Sequence, residues 1–337
     1  MLNTDNRIFV KDIHFKNAEK FLQSISYGGF LYKRFGNSFI FRGQSSDKYA
    51  LLPSALRKNL YEETNPNANR DEEYYAYAAS EYGQIESEAQ LLFSFFKRCD
   101  NAHLYVPEVQ RLRDSFPFIL DFHFLLSHEK WIAKEYQEIA ALAQHYGVPT
   151  RLLDWTTDIN VALYFASSSV IRKRATQQEK ASACFDKPDK EQNMELWALD
   201  SIIIFAEKEM ALPLRFVRPR YYDNVNLAAQ KGILTYWQVE KPMITINGVD
   251  IEPDLSVKRN TNSLDKQIVE YLEDNRTDER LYIYHFTIPQ SAAIDLYEYA
   301  KHNNCDASTL FPGYSGVVKC MEEDDFVERL KNIRIRD

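Results

Sequence analysis

Gln144-His145-Tyr146-Gly147-Val148-Pro149-Thr150-Arg151-Leu152-Leu153-Asp154-Trp155-Thr156 is the most chemically crowded stretch of this chain. It sets His, Tyr, Arg, Asp, Trp and Thr around a Gly-x-Pro turn. Residues 134–146 before the turn read as a helix, and Gly147 with Pro149 close behind is an ordinary helix stop. Residues 159–167 after it are apolar at 159, 162, 163, 165 and 166 and read as a second helix. A polar run held between rigid elements is where sites tend to form. A purely structural reading stands beside the functional one. In it, Arg151 pairs with Asp154, Trp155 fills core and Thr156 caps the following helix.

Working outward, Phe39-Ile40-Phe41 is a short apolar run ending at Arg42-Gly43-Gln44, a strand feeding a turn. Ahead of it, Ala18, Phe21, Leu22 and Ile25 recur at helical spacing. Residues 57–69 turn polar and Asn-rich, which predicts a loop. One long helix is expected over 71–99, with Ile85, Ala89, Leu92, Phe93 and Phe96 on one face. Residues 172–192 are charged and weakly apolar, which predicts a helix end and a mobile surface loop. Residues 195–199 and 280–286 read as strands, and Pro289 opens a helix through His302. No internal repeat and no convincing linker divides the chain, so residues 1–337 are expected to form one domain. The expected class is α+β: a small mixed sheet forming a cleft, surrounded by helices, with a helical N-terminal half.

Composition narrows the function classes. The chain has 337 residues and a net charge of −8, with 41 basic and 49 acidic side chains. General nucleic-acid binding needs a surplus of Lys and Arg, so that class is not expected. The four cysteines lie far apart with no C-x-x-C pair, which fits neither a zinc site nor a disulfide scaffold. Seven histidines fall singly, and no metal is expected. The polar N-terminus lacks a signal-peptide pattern, and no apolar run is long enough to span a membrane. The expected location is the cytoplasm.

Three segments together resemble the signature of FRG-domain proteins: Phe41-Arg42-Gly43-Gln44, the run 145–156, and Val161-Ala162-Leu163-Tyr164-Phe165-Ala166. Asn226-Leu227-Ala228-Ala229-Gln230-Lys231-Gly232 and Thr309-Leu310-Phe311-Pro312-Gly313 fit the same pattern, which then runs from about residue 20 to 320. Two positions depart from it. Asn226 stands where a basic residue is expected, and Gly313 follows Phe311-Pro312 where an acid is expected.

A remoter likeness is to ADP-ribosyltransferase pockets for NAD, in which an Arg-Gly ends a strand ahead of a Ser/Thr segment and a helix. That likeness implies NAD as a substrate rather than a resident cofactor, and a toxin or defence effector. Arg42 would hold pyrophosphate or ribose, and Trp155 would stack on nicotinamide. Gln44, His145, Tyr146, Thr150, Arg151, Thr156 and Gln230 complete the expected ligand-binding set. The carboxylate that such chemistry needs is sought first at Glu88 and then at Asp154. The alternative is a non-catalytic module that senses a nucleotide or protein partner through the same cleft.

Overall fold

The computed structural model describes residues 9–36, 38–107, 109, 126, 128–181, 192–201, 212–220, 225–246, 249–275 and 282–334. Its centre is a seven-stranded sheet. The chain enters it with β1 (Val10–His14), passes helices α1 (Ala18–Ile25) and α2 (Phe30–Phe35), and returns as β2 (Phe39–Gln44). The helix α1 begins at Asn17, whose side chain accepts from the Lys20 amide, and buries Ala18, Phe21 and Ile25. Helices α3 (Leu60–Thr64), α4 (Glu72–Ala79) and α5 (Glu81–Asn101) follow. Then come β3 (Lys130–Trp131), α6 (Gln137–His145), β4 (Leu153–Thr156), α7 (Ile159–Ala181) and β5 (Asn193–Asp200). Strand β6 (Leu214–Val217), helix α8 (Val225–Ala229) and strands β7 (Gly232–Trp237), β8 (Val239–Glu240), β9 (Met243–Ile246) and β10 (Val249–Pro253) come next. Helix α9 (Leu264–Asp274), strand β11 (Ile283–Pro289) and helices α10 (Ala293–His302), α11 (Ala307–Leu310) and α12 (Tyr314–Arg334) complete the order.

The strand order is β1-β11-β5-β2-β4-β7-β6. Strand β1 runs parallel to β11, and every other neighbour in this sheet is antiparallel. The expected mixed sheet surrounded by helices is therefore present. One face packs on α1, α7, α10 and α12 through Phe21, Phe41, Ala162, Tyr164 and Phe286. The other face packs on α9 through Ile40, Trp155, Leu199 and Ile268. A third cluster joins α5, α6 and the end of β7.

One register detail positions everything below. Strand β2 stays on β5 along its whole length, from Phe39↔Asp200 to Gln44↔Glu195. Strand β4 stays on β7, from Leu153↔Thr235 to Thr156↔Gly232. Between β2 and β4 only Phe41↔Thr156 is in register. Beyond that pair the two strands part, and the sheet opens into a cleft.

Several boundaries differ from the sequence reading. The helix expected over 71–99 breaks at Ser80, which is extended (φ −93°, ψ 155°) and caps α5 by accepting from the Gly83 amide. The apolar pattern hides this break because both halves bury the same side. Helix α3 lies within the expected loop at 57–69, started by the Asn59 side chain. Helix α7 continues to Ala181, so residues 172–181 are helical, and 182–191 lie outside the described residues. No helix among the described residues is long and apolar enough to cross a membrane.

Candidate functional site

The parting of β2 and β4 is floored by helix α7, and Gly43 is what allows that approach. A Cβ at Gly43 would lie 1.9 Å from the Ala162 carbonyl oxygen, so the strand and helix backbones meet where no side chain fits. The resulting cavity is about 880 Å³, within the size range of ligand pockets. Its walls come from β2, β4, α6, α7, the α8–β7 turn and Phe311.

Arg42 spans the split. Its Nη1 donates to the Asp154 carbonyl at 2.7 Å and stands 3.9 Å from the Asp154 carboxylate, while Nε donates to Gln44 Oε1 at 3.4 Å. Burial lowers the Arg42 pKa, Asp154 acts the other way, and the like charge of Arg57 lowers it further. Two guanidiniums close enough to repel, together with Lys48, put three cations in the lining of the cavity. The lining also carries the apolar side chains of Val161, Phe165, Leu227, Leu234 and Phe311.

Asp154 is held in place from both sides. Gln144 Nε2 donates to its Oδ1 at 2.7 Å, and the Thr150 hydroxyl donates to Gln144 Oε1. Thr150 in turn accepts from the Leu152 amide at 3.2 Å, which ties the relay to the turn after α6. The Gly147 of that turn has φ +89°, the left-handed conformation that suits glycine. Asp154 is the sole carboxylate lining the cavity among the described residues.

Of the residues singled out from sequence, Arg42, Gln44, His145, Asp154, Trp155, Thr156 and Gln230 border this cavity. Gln44 is fixed by donating to the Tyr49 carbonyl at 2.8 Å. Thr156 donates to the Gln230 carbonyl at 2.8 Å, and Gln230 Nε2 donates to the Leu310 carbonyl at 3.1 Å. The Thr156 hydroxyl also accepts from the Asp158 amide at 3.1 Å, at the start of α7.

Trp155 borders the cavity only as a largely buried side chain. Strand pleating alternates side chains between faces, so Leu153 and Trp155 turn into the core away from Asp154. The Trp155 indole is 4% exposed and donates to Thr235 Oγ1 at 2.8 Å. Tyr146 is exposed and meets the His145 ring edge-on, outside the cavity lining. Thr150 acts through Gln144 and does not line the cavity.

Arg151 and Glu88 also lie apart from it. Arg151 neither pairs with Asp154 nor reaches the cleft. It donates to Glu88 through Nε at 2.7 Å and Nη2 at 2.9 Å, and to Glu81 at 3.1 Å. Trp131 and Gln84 also donate to Glu88, at 2.6 and 2.9 Å, and all three charged side chains are buried. Burial pulls the Arg151 pKa down, but the two carboxylates outweigh it and the net shift is upward. This network joins α5 to the turn before β4, and it holds Glu88 outside the lining of the cavity. The α5 sequence placed it near the motif but gave no sign that Arg151 would turn inward to meet it.

Arg57, Lys48, Gln144, Phe165 and Phe311 complete the site beyond the residues first singled out. Arg57 sits at the edge of the Asn-rich segment, where a lone cation looks like a solvated side chain. The fold and site thus define an α+β protein with a cationic cleft at a split in its sheet. Residues 37–175 match the family model described as the FRG domain, so the chain carries an FRG domain over that stretch. No curated protein and no solved structure matches the chain.

Proposed function

We propose that the cleft binds a phosphate-bearing nucleotide, with NAD as its substrate. The observation that carries this reading is Arg42: a desolvated guanidinium near Arg57, lining with Arg57, Lys48 and several apolar side chains a cavity of about 880 Å³. Phosphate oxygens match the planar fork of arginine, and a base or nicotinamide ring suits the apolar part of the lining. Asp154 is then the anion for ribose chemistry. The C1′–nitrogen bond of NAD breaks, the bonding pair leaves with neutral nicotinamide, and the positive charge developing on the ribose is stabilised by the carboxylate. Water or an acceptor hydroxyl closes the bond to C1′ and releases its proton to solvent. This is the ADP-ribosyltransferase-like reading, with a toxin or defence role as its biological form.

A second reading is a nucleotide sensor without turnover. It draws on the state of Asp154, whose carboxylate already receives Gln144 and neighbours Arg42. Incubating the protein with NAD and measuring free nicotinamide separates the two. Release that is lost in Asp154→Asn supports the enzyme. Binding of NAD with no release over hours supports the sensor, and no binding of NAD or ADP contradicts both.

A further inference from the structure

A second cavity of about 420 Å³ lies farther along α7 and shares Phe165 and Ser169 with the main cleft. Its other walls are Ser168, Arg172, Lys173, Thr176, Gln177 and Lys319. Arg172 and Lys173 follow Ser169 within about one helical turn, roughly 5.4 Å of rise. The only charges lining it among the described residues are therefore three cations, interleaved with hydroxyl and amide groups.

Lys319 comes from α12 and is set unusually. Its ammonium lies 3.7 Å from the Phe311 ring centroid and 5.9 Å from that of Tyr164, and Phe311 is itself a wall of the main cleft. Glu323, the carboxylate that acts on Lys319, is fully buried and is committed elsewhere. It accepts from Arg172 at 2.8 Å and from the Tyr164 hydroxyl at 3.0 Å. One acid thus serves both Arg172 and Lys319, and with Lys173 the lining of the second cavity carries three cations in a chain whose net charge is −8. Burial lowers the Lys319 pKa, Glu323 opposes it and Arg172 adds to it.

We infer that Lys173, Lys319 and Arg172 form a second phosphate subsite, continuous with the main cleft. It takes the ribose phosphate of a nucleotide that carries a 2′- or 3′-phosphate in addition to its 5′-pyrophosphate. The inference rests on the reading of the main cleft as a nucleotide site. Phe165 and Ser169 form the shared wall over which such a ligand passes. Ser169, exposed on α7, supplies a neutral donor to a phosphate oxygen that the cations leave free.

The test is calorimetric titration with ADP and with ADP carrying an additional 2′- or 3′-phosphate. The proteins are wild type, Arg42→Lys, Lys173→Glu and the Lys173→Gln/Lys319→Gln pair. Lys173 is exposed, so its reversal leaves packing untouched and serves if the pair melts early. Wild type is expected to prefer one of the phosphorylated forms by roughly tenfold or more, the scale of one charge-assisted hydrogen bond. The double variant and Lys173→Glu lose that preference while binding ADP as wild type does. Arg42→Lys weakens all three ligands together. Equal affinity of wild type for all three, with ADP binding still dependent on Arg42, overturns the subsite and leaves the main cleft standing. A preference that survives both Lys variants also overturns it. If none of the three ligands binds, the reading of the main cleft falls, and the subsite with it.

Discussion

The Arg42 guanidinium donates to the Asp154 carbonyl at 2.7 Å across 112 positions of sequence. This bond bridges two strands that share a single register pair, so it crosses the opening of the sheet and does not belong to its ladder. It fixes the head of an arginine that lines the cavity, with Nε donating to Gln44. The relay Thr150–Gln144–Asp154 holds the acceptor side in the same way.

Asp154→Asn keeps the carbonyl that receives Arg42 and removes the charge. If the cleft cleaves NAD, nicotinamide release should fall roughly 10²–10³-fold, the usual loss when a positioned electrostatic partner is removed. The thermal midpoint should change little, because this side chain is 66% exposed. Release at the wild-type rate would remove Asp154 from the chemistry.

Glu88 and Arg151 should behave as fold residues. Arg151→Met leaves Glu88 and Glu81 buried without their cation, an arrangement that costs about 3–5 kcal/mol. An unfolding free energy from chemical denaturation lowered by that amount is the expected result. Unchanged stability with lost nucleotide binding would instead put Arg151 in the site.

Gly43→Ala should destabilise the protein by more than the about 1–3 kcal/mol typical of an overpacked core, because the added carbon meets backbone. Helix α7 would have to move off β2, and the cleft floor with it. A variant that melts with wild type would contradict the close approach.

His285 gives a pH dependence. It lies between Asp12 at 2.7 Å and Glu195 at 2.9 Å and stacks on Trp197. Burial works to lower its pKa, but these hydrogen bonds and charges outweigh it and raise the value to about 9. A folded pKa above the unfolded value of about 6.5 means the imidazolium stabilises fully below that pH. The contribution, on the order of 3 kcal/mol, is lost as pH rises from about 6.5 through 9. The denaturation free energy of wild type should decline over that window, and that of His285→Gln should not. Parallel profiles would show that His285 holds no such charge.

Much of the fold was legible because it rests on local pattern. Helix α1 matches its expected span, 18–25, and the strand read at Phe39-Ile40-Phe41 is present, although it runs on through Arg42 and Gly43 to Gln44 where a turn was expected. Two kinds of feature were hidden. Ser80 breaks a helix without disturbing its apolar phase, so periodicity carries no trace of the cap. Side-chain direction was the other. Arg151 and Trp155 sit inside the motif yet face the core, the first drawn by Glu88 and the second by the pleat of β4. Spacing between motifs says nothing about which side of a turn a residue takes. Arg57 was missed, and Phe311 was quoted in the family pattern without a place in the cleft, for a related reason: each joins the cleft only through tertiary packing.

The proposed function turns on Arg42 holding a phosphate-bearing ligand in the cleft. It is tested most directly by calorimetric titration of NAD into wild type and Arg42→Lys at one salt concentration, with thermal melts alongside. Wild type should bind saturably. The variant should lose roughly ten- to hundredfold, since an ammonium replaces a forked donor worth about 1.5–3 kcal/mol, with a nearly unchanged melt. Equal affinity in the two proteins, or a variant that binds normally but unfolds many degrees lower, would make Arg42 a structural bridge to Asp154 and contradict the claim.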